Sequence, residues 1–243
     1  MKNMKMKTLI FVALASMMSA TVSAQMSLGD TAVINFTKTG NTVGGNWNEV
    51  EGESGGTIAA GILIADLIRF SDGTATGVEL SVEGSGLGAD LFGIGGRDEE
   101  PFDSSRIFPV SGAIPNVAQE NLTYHSDTPQ RFVFSGLDDT LTYNLSILSA
   151  NTGGTRNAHN WIANPGPGQF AISVNPNDGL VHTFSNLSTD GLGNIVLQNS
   201  SDAGGIDAQH LNAMELTAIP EPGTLILLGL GLGAAFVFRR RRS

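Results

Sequence analysis

Alternation of apolar and polar residues with a period of two is the feature that most constrains the fold of this chain. It recurs through residues 25–217, for example at Val78, Leu80 and Val82. Other runs of the same kind centre on Ile34, Phe134, Leu145, Ile172, Phe184, Val196 and Met214. A period of two is that of a β-strand with one buried face. The pattern therefore predicts a chain built from short strands.

Turn signals separate these runs. Asp72-Gly73, Asp178-Gly179 and Asp190-Gly191 are dipeptides that favour tight turns. Short strands at this spacing predict an all-β fold, a single antiparallel β-sandwich of jelly-roll type formed by residues 25–217. Two segments are less regular. Residues 57–70 are nearly all apolar, and we favour a strand for their second half, while residues 116–122 are predicted to hold a helical turn with Asn116 as N-cap.

The composition limits the partners of this domain. The chain has 13 basic and 23 acidic residues, and seven of the basic residues lie in its first seven and last five positions. The middle is therefore strongly acidic and repels nucleic acid, which we exclude as a partner. The chain has no cysteine, so thiol catalysis and thiolate metal sites are excluded within it.

The first 24 residues have the three parts of a cleavable signal peptide. The start carries the positive charges of Lys2, Lys5 and Lys7. Residues 8–18 are apolar, and Val22 and Ala24 are the small residues that precede a cleavage site. We predict cleavage between Ala24 and Gln25, with an uncleaved N-terminal anchor as the alternative.

The C-terminal end, residues 218–243, has a different composition. Pro220, Glu221 and Pro222 form an extended strip, because proline lacks an amide donor and biases its neighbour away from helix. Residues 224–238 are apolar and predict a single transmembrane helix, although about 20 residues are usual for a span. Four arginines follow it, and cationic side chains stay on the cytoplasmic side of a membrane. They are Arg239, Arg240, Arg241 and Arg242.

The order of these three parts resembles the PEP-CTERM sorting domain of Gram-negative bacteria. The resemblance implies that a membrane-embedded exosortase recognises Pro220, Glu221 and Pro222, and that the four arginines act as the stop-transfer signal. Many members of that family accompany exopolysaccharide or biofilm-matrix production. Residues 132–218 more loosely resemble the β-sandwich domains that precede such tails. The resemblance therefore implies an exported, non-catalytic protein of the cell surface or extracellular matrix that contacts polysaccharide.

These signals together predict a route and a set of partners. The Sec machinery and signal peptidase would handle residues 1–24, and the C-terminal helix would hold the chain in the inner membrane before exosortase acts. The folded body would then lie outside the inner membrane. The final location would be the cell surface or the matrix.

No catalytic or metal-binding residue is predicted. Residues 52–56 match the G-x-S-x-G pattern of a hydrolase, but they lie in an acidic, glycine-rich stretch without the strand and helix that this motif needs. The four histidines lack metal-ligand spacing. We expect no cofactor, although the carboxylates and amides of residues 98–103, 138–139 and 175–178 leave a structural Ca²⁺ open. The alternative function is a secreted carbohydrate-active enzyme, which needs two carboxylates about 5–10 Å apart in a cleft.

Two tryptophans are the candidate carbohydrate contacts. Trp47 and Trp161 each stand beside asparagine, and we place both in loops. An aromatic ring flanked by amides can stack on a sugar and bond its hydroxyls. The alternative is that both rings plug the ends of the sandwich, because large aromatic side chains are usually buried.

Overall fold

The computed structural model describes residues 25–40, 42–52, 56–59, 61–83, 90–96, 104–125, 131–150, 158–167, 169–175, 178–199 and 209–221. The predicted signal peptide and the predicted transmembrane helix lie outside the described residues. So do the central residues of the G-x-S-x-G pattern and the carboxylates of residues 98–103.

The regular secondary structure of the described residues is almost entirely β-strand, which confirms the all-β prediction. Its early strands are β1 (Thr31–Lys38), β2 (Asn48–Gly52), β3 (Gly56–Ala59), β4 (Gly61–Ile64), β5 (Glu79–Glu83), β6 (Asp90–Gly96), β7 (Ile107–Phe108) and β8 (Gly112–Ala113). A helical turn, α1 (Asn116–Glu120), precedes β9 (Asn121–His125). The remaining strands are β10 (Arg131–Ser135), β11 (Thr142–Leu148), β12 (His159–Ala163), β13 (Phe170–Val174), β14 (Val181–Leu187), β15 (Ile195–Asn199), β16 (Gln209–Leu211) and β17 (Ala213–Ile219).

The strands form two large sheets and two smaller ones. The five-stranded sheet has the order β14-β11-β17-β1-β2, and the six-stranded sheet has the order β13-β12-β15-β10-β5-β4. A four-stranded sheet, β16-β9-β6-β3, and the hairpin β7-β8 complete the described strands. Most pairs are antiparallel as predicted, but β1 and β2 pair in parallel from Ile34 opposite Asn48 to Lys38 opposite Gly52. The jelly-roll arrangement stays a prediction.

Three aromatic rings join the two large sheets. The ring of Phe36, on β1, lies 5.4 Å from that of Phe132, on β10, and the ring of Phe132 lies 6.4 Å from that of Trp161, on β12. All three side chains are buried, in one cluster with residues of both sheets. The two sheets therefore pack face to face, and the core of the sandwich lies between them.

The outer face of the five-stranded sheet is covered as well. Val33 and Leu148 pack there against Phe108 and Ile114 from the segment that contains β7 and β8. The buried carboxylate of Glu215 accepts hydrogen bonds from the amides of Val110, at 3.2 Å, and Ser111, at 2.6 Å. A period of two predicts a strand with one solvent-exposed face. Because this layer covers that face, six of the seven residues of β17 are buried.

Most strands predicted from the period of two are present, and the differences have local causes. Residues 57–70 form β3 and β4 in their first half, whereas the second half has only a bridge between Ile68 and Ala75. The predicted helical turn is present as α1, but the Pro115 carbonyl accepts its first helical hydrogen bond, so Pro115 occupies the cap position predicted for Asn116. Trp161 lies in β12 rather than in a loop.

The aromatic core gives the first prediction. Phe132→Ala should lower the free energy of unfolding by about 3–5 kcal/mol, because it leaves a cavity between the sheets. Phe170→Ala is the matched control: Phe170 is 49% exposed, and its loss should cost less than about 1 kcal/mol. Urea unfolding of the purified protein, followed by tryptophan fluorescence, measures both. Equal losses would contradict the assignment of Phe132 to the core.

Candidate functional site: the exit end of the sandwich

The sorting motif begins directly where the last strand ends. Strand β17 ends at Ile219, and Pro220 follows without a spacer. The Thr142 hydroxyl lies 3.5 Å from the Ile219 carbonyl oxygen and 3.4 Å from that of Pro220, so the start of the motif stays close to β11. Pro220 is half-buried and Glu221 is exposed, whereas Pro222 lies outside the described residues.

Strand β17 is paired on both sides up to this point. Its residues oppose β1, with Thr31 opposite Thr217, and β11, with Thr142 opposite Ile219. The hydroxyls of Thr31 and Thr217 are 3.1 Å apart. An internal strand with two neighbours has its backbone donors and acceptors engaged, so the sandwich holds β17 firmly.

The start of the predicted mature chain lies against the same point. The Gly29 amide donates to the Ala218 carbonyl at 2.9 Å, and the Ala218 amide donates to the Asp30 carbonyl at 3.0 Å. Arg69 pairs with Asp30 at 3.0 Å. Met26, next to the predicted cleavage site, is buried in the core. The folded body therefore brings its first and last residues together.

Two further loops lie at this end. Loop 136–141 precedes β11, and loop 188–194 precedes β15. Asp139 joins them, because it accepts hydrogen bonds from the Thr189 hydroxyl at 2.5 Å and from the Gly193 amide at 2.9 Å. Gly193 has a φ of 75°, and a Cβ there would lie 2.8 Å from the Leu137 carbonyl oxygen, so this position requires glycine. We call turn 27–30, these two loops and Pro220 the exit end.

Local hydrogen bonds and burial shift the pKa values of three side chains at the exit end. The Thr140 hydroxyl and amide lower the pKa of Asp138. The Asn194 side chain and nearby backbone amides lower the pKa of Asp190. Burial raises the pKa of Tyr143 to about 12. The Tyr143 hydroxyl donates to the Asp138 carbonyl at 3.2 Å and accepts from the Asp138 amide at 2.9 Å, which fixes loop 136–141 to β11.

A cleft of about 490 Å³ opens beside the exit end. Phe170, 49% exposed, lies on it, together with the Pro165-Gly166-Pro167 loop. Asn164 is held there with a φ of 48°, and its side chain donates to the Ser188 carbonyl at 2.7 Å and accepts from the Val196 amide at 2.9 Å. The rest of the described lining is Arg131, Asn186, Thr189 and Asp190. We call this space the side cleft.

The predicted carbohydrate contacts are not on the side cleft. Trp161 is fully buried in the core between the sheets, and Trp47 is 9% exposed in the cluster on the outer face of the five-stranded sheet. A buried indole offers no face to a sugar ring, so the burial of both rings agrees with the packing alternative, although Trp161 lies between the sheets and Trp47 lies under the outer cover rather than at the ends of the sandwich. Sequence reasoning did not single out Phe170, although the prolines and amides before it mark a loop that presents an aromatic residue.

Other sequence candidates are placed without forming a cluster. Asp138 and Asp139 are engaged in turn hydrogen bonds, and Asp178 accepts from the Leu180 amide at 3.1 Å. Within the described residues no group of three or more histidine and carboxylate side chains could hold a metal ion. The same residues contain no helix with the length and hydropathy of a membrane span.

Comparison with known proteins identifies the C-terminal segment. Residues 218–242 match the PEP-CTERM protein-sorting motif. The chain therefore carries this sorting motif, which indicates a surface protein targeted to exosortase. No curated protein matches the chain.

Two solved structures show weak likeness. One is the CBM35 from Cellvibrio japonicus Abf62, with 15% identity over 58% of this chain and 97% of that chain and a TM-score of 0.27. The other is an arabinose-bound MgGH51 α-L-arabinofuranosidase, with 13% identity over 81% of this chain and 31% of that chain and a TM-score of 0.31. Likeness of this degree transfers no ligand or activity to this chain.

The buried tyrosine gives the second prediction. Between pH 10 and about 12 the unfolded chain releases the Tyr143 proton while the folded chain keeps it, so stability should fall as the pH rises through this window. Tyr143→Phe should make this fall shallower. At neutral pH it should cost about 1–2 kcal/mol, because the Asp138 amide loses its acceptor. Urea midpoints measured at pH 7, 10 and 11 test both effects. Tyr124→Phe, at the other of the two tyrosines of the chain, is the control, and an unchanged pH slope in Tyr143→Phe would contradict the assignment.

Proposed function

We propose that this chain, which carries a PEP-CTERM sorting motif at residues 218–242, is a non-catalytic protein of the matrix or the cell surface. It is first made as a precursor that its C-terminal segment holds in the membrane. Residues 1–24 direct export and are removed between Ala24 and Gln25. Residues 25–217 fold outside the inner membrane as one sandwich. Residues 224–238 hold the precursor in the membrane, Arg239–Arg242 stop its transfer, and exosortase acts at Pro220, Glu221 and Pro222.

The observation that carries this proposal is the position of the matched motif. Residues 218–242 match the sorting motif, and β17 ends at Ile219, inside the start of that match. The folded body therefore ends where the signal begins, and Glu221 is exposed directly beyond it. A signal that a membrane enzyme reads needs such an accessible, extended stretch next to an apolar segment.

The side cleft supports binding rather than glycoside hydrolysis. Hydrolysis uses two carboxylates, one of which acts as an acid with a raised pKa. Among the described residues that line the side cleft, Asp190 is the one carboxylate. Its pKa is lowered by Asn194, which is opposite to what a general acid requires. These observations favour the non-catalytic function over the carbohydrate-active enzyme.

For the polysaccharide contact, the side cleft is a better candidate than the tryptophans. Phe170 exposes an aromatic face there, and Asn186 and Arg131 supply polar groups at its border. Saccharides bind to such combinations because their C–H faces stack on aromatic rings while their hydroxyls bond amides and charged groups. We propose that the side cleft contacts the matrix polysaccharide of the host.

The third prediction tests sorting. Replacement of Pro220, Glu221 and Pro222 by alanine should block processing, so that a longer, membrane-retained precursor accumulates. Pro109→Ala is the control, because it removes an exposed proline of the body that lies outside the side cleft. Immunoblots of membrane and extracellular fractions from the native host, with mass spectrometry of both termini, measure the outcome. Normal processing of the first variant would contradict the proposal.

The fourth prediction tests the polysaccharide contact. Phe170→Ala should weaken binding to purified host polysaccharide about tenfold, because it removes the stacking face of the side cleft. Leu180→Ala is the control, since Leu180 is 57% exposed and lies outside that cleft. Isothermal titration or co-sedimentation with the polysaccharide gives the affinities. Equal affinities for wild type and Phe170→Ala would contradict the assignment.

A further inference from the structure

We infer that the exit end is itself a docking surface for the membrane enzyme that processes the chain, and that this enzyme reads the folded body as well as the three motif residues. The inference rests on the proposed function, because it requires that an enzyme act on the sorting motif. It commits to one occupant: a membrane-embedded processing enzyme that presents an apolar patch on its outer side.

The first argument is distance. A fully extended chain advances about 3.3–3.6 Å per residue, so Pro222 lies within about 11 Å of Ile219. By the same measure, Thr224, where the apolar run begins, lies within about 18 Å of Ile219. An enzyme that binds the motif while the apolar run is in the membrane must therefore act within about 11–18 Å of Ile219, beside the loops at the exit end.

The second argument is that the motif cannot easily be pulled away from the body. To move the motif farther from the body, β17 would have to separate from its neighbouring strands. It is paired with β1 as far as Thr217 and with β11 as far as Ile219. Leu216 and Ala218 are fully buried in the core. Opening this end would expose apolar surface and leave buried backbone groups unpaired, both of which are costly. Docking on the exit end avoids that cost.

The third argument is the chemistry of the surface. Leu28, in turn 27–30, is 56% exposed, and Leu192, in loop 188–194, is 81% exposed. Both loops are held by hydrogen bonds, Gly29 to Ala218 and Gly193 to Asp139, so the two leucines project from fixed positions beside the chain exit. The neighbouring carboxylates Asp138 and Asp190 are already engaged by backbone amides. These carboxylates stay ionised, because their pKa values are lowered, and the two leucines supply the exposed apolar contact of this surface.

The experiment compares processing rates of full-length chains in the native host. The double variant Leu28→Ser, Leu192→Ser should be processed about tenfold more slowly than wild type, as expected for loss of two anchors at an interface. Leu180→Ser is the matched control, with 57% exposure near the start of β14, at the opposite end of the sandwich, and it should be processed at the wild-type rate. Resistance of the three proteins to added protease checks that each folds.

A spacer variant separates docking from recognition of the motif. Eight Gly/Ser residues inserted between Ile219 and Pro220 let an enzyme reach the motif without touching the body. In this longer chain the leucine substitutions should no longer change the rate. A photo-crosslinking residue at position 28 or 192 should form an adduct with the epitope-tagged processing enzyme, and the same residue at position 180 should not.

The outcomes distinguish this inference from the proposed function. If the alanine variant of the three motif residues is blocked while the leucine variant is processed at the wild-type rate, docking is wrong and sorting stands. If the photo-crosslinking residue at position 28 or 192 forms adducts with lipid alone, the exit end contacts the bilayer and not the enzyme, and the inference is wrong. Normal processing of the motif variant would overturn the sorting proposal itself.

Discussion

The pairing of β1 with β17 is the constraint on which the rest of the structure depends. It joins residues far apart in sequence, since the bonded hydroxyls of Thr31 and Thr217 are separated by 186 positions. It places β17 between two neighbours in the five-stranded sheet, and it brings turn 27–30 against Ala218. Because the two ends of the body meet, the predicted export cleavage site and the sorting motif lie on one side of the sandwich. The geometry of the exit end follows from this one pairing.

Burial of the five-stranded sheet on both faces supports that geometry. One face meets the six-stranded sheet through Phe36 and Phe132, and the other is covered by the segment around β7 and β8. The buried Glu215 carboxylate attaches this cover through two backbone amides. A buried carboxylate is tolerated only where donors replace its lost water. The strand that precedes the sorting motif therefore lies inside the protein, not at an exposed edge where it could pair with another chain.

Local patterns in the sequence were enough to predict the strands and the sorting signal, but not the site geometry. The period of two predicts β5, β10 and β11 because large apolar side chains occupy alternate positions in each of their sequences, ELSVE, RFVFS and TYNLSIL. It missed β6 and β12, whose sequences DLFGIGG and HNWIA contain glycine or polar residues in place of a clear alternation. For the same reason the pattern predicts a loop at Trp161, which lies in β12. The sorting motif was predictable because its parts are contiguous, whereas the exit end and the side cleft are built from segments that only the tertiary pairing brings together.

The meeting of first and last strands also has a kinetic consequence. In the proposed export route the N-terminal strand β1 crosses the membrane before β17, which directly precedes the sorting motif. The five-stranded sheet cannot close until that last strand is across the membrane, because β17 separates β1 from β11. Contacts between such distant segments slow folding, since a long loop must be closed before they form. In that route the fold is completed only when β17 has been exported, and until then the five-stranded sheet lacks the strand between β1 and β11.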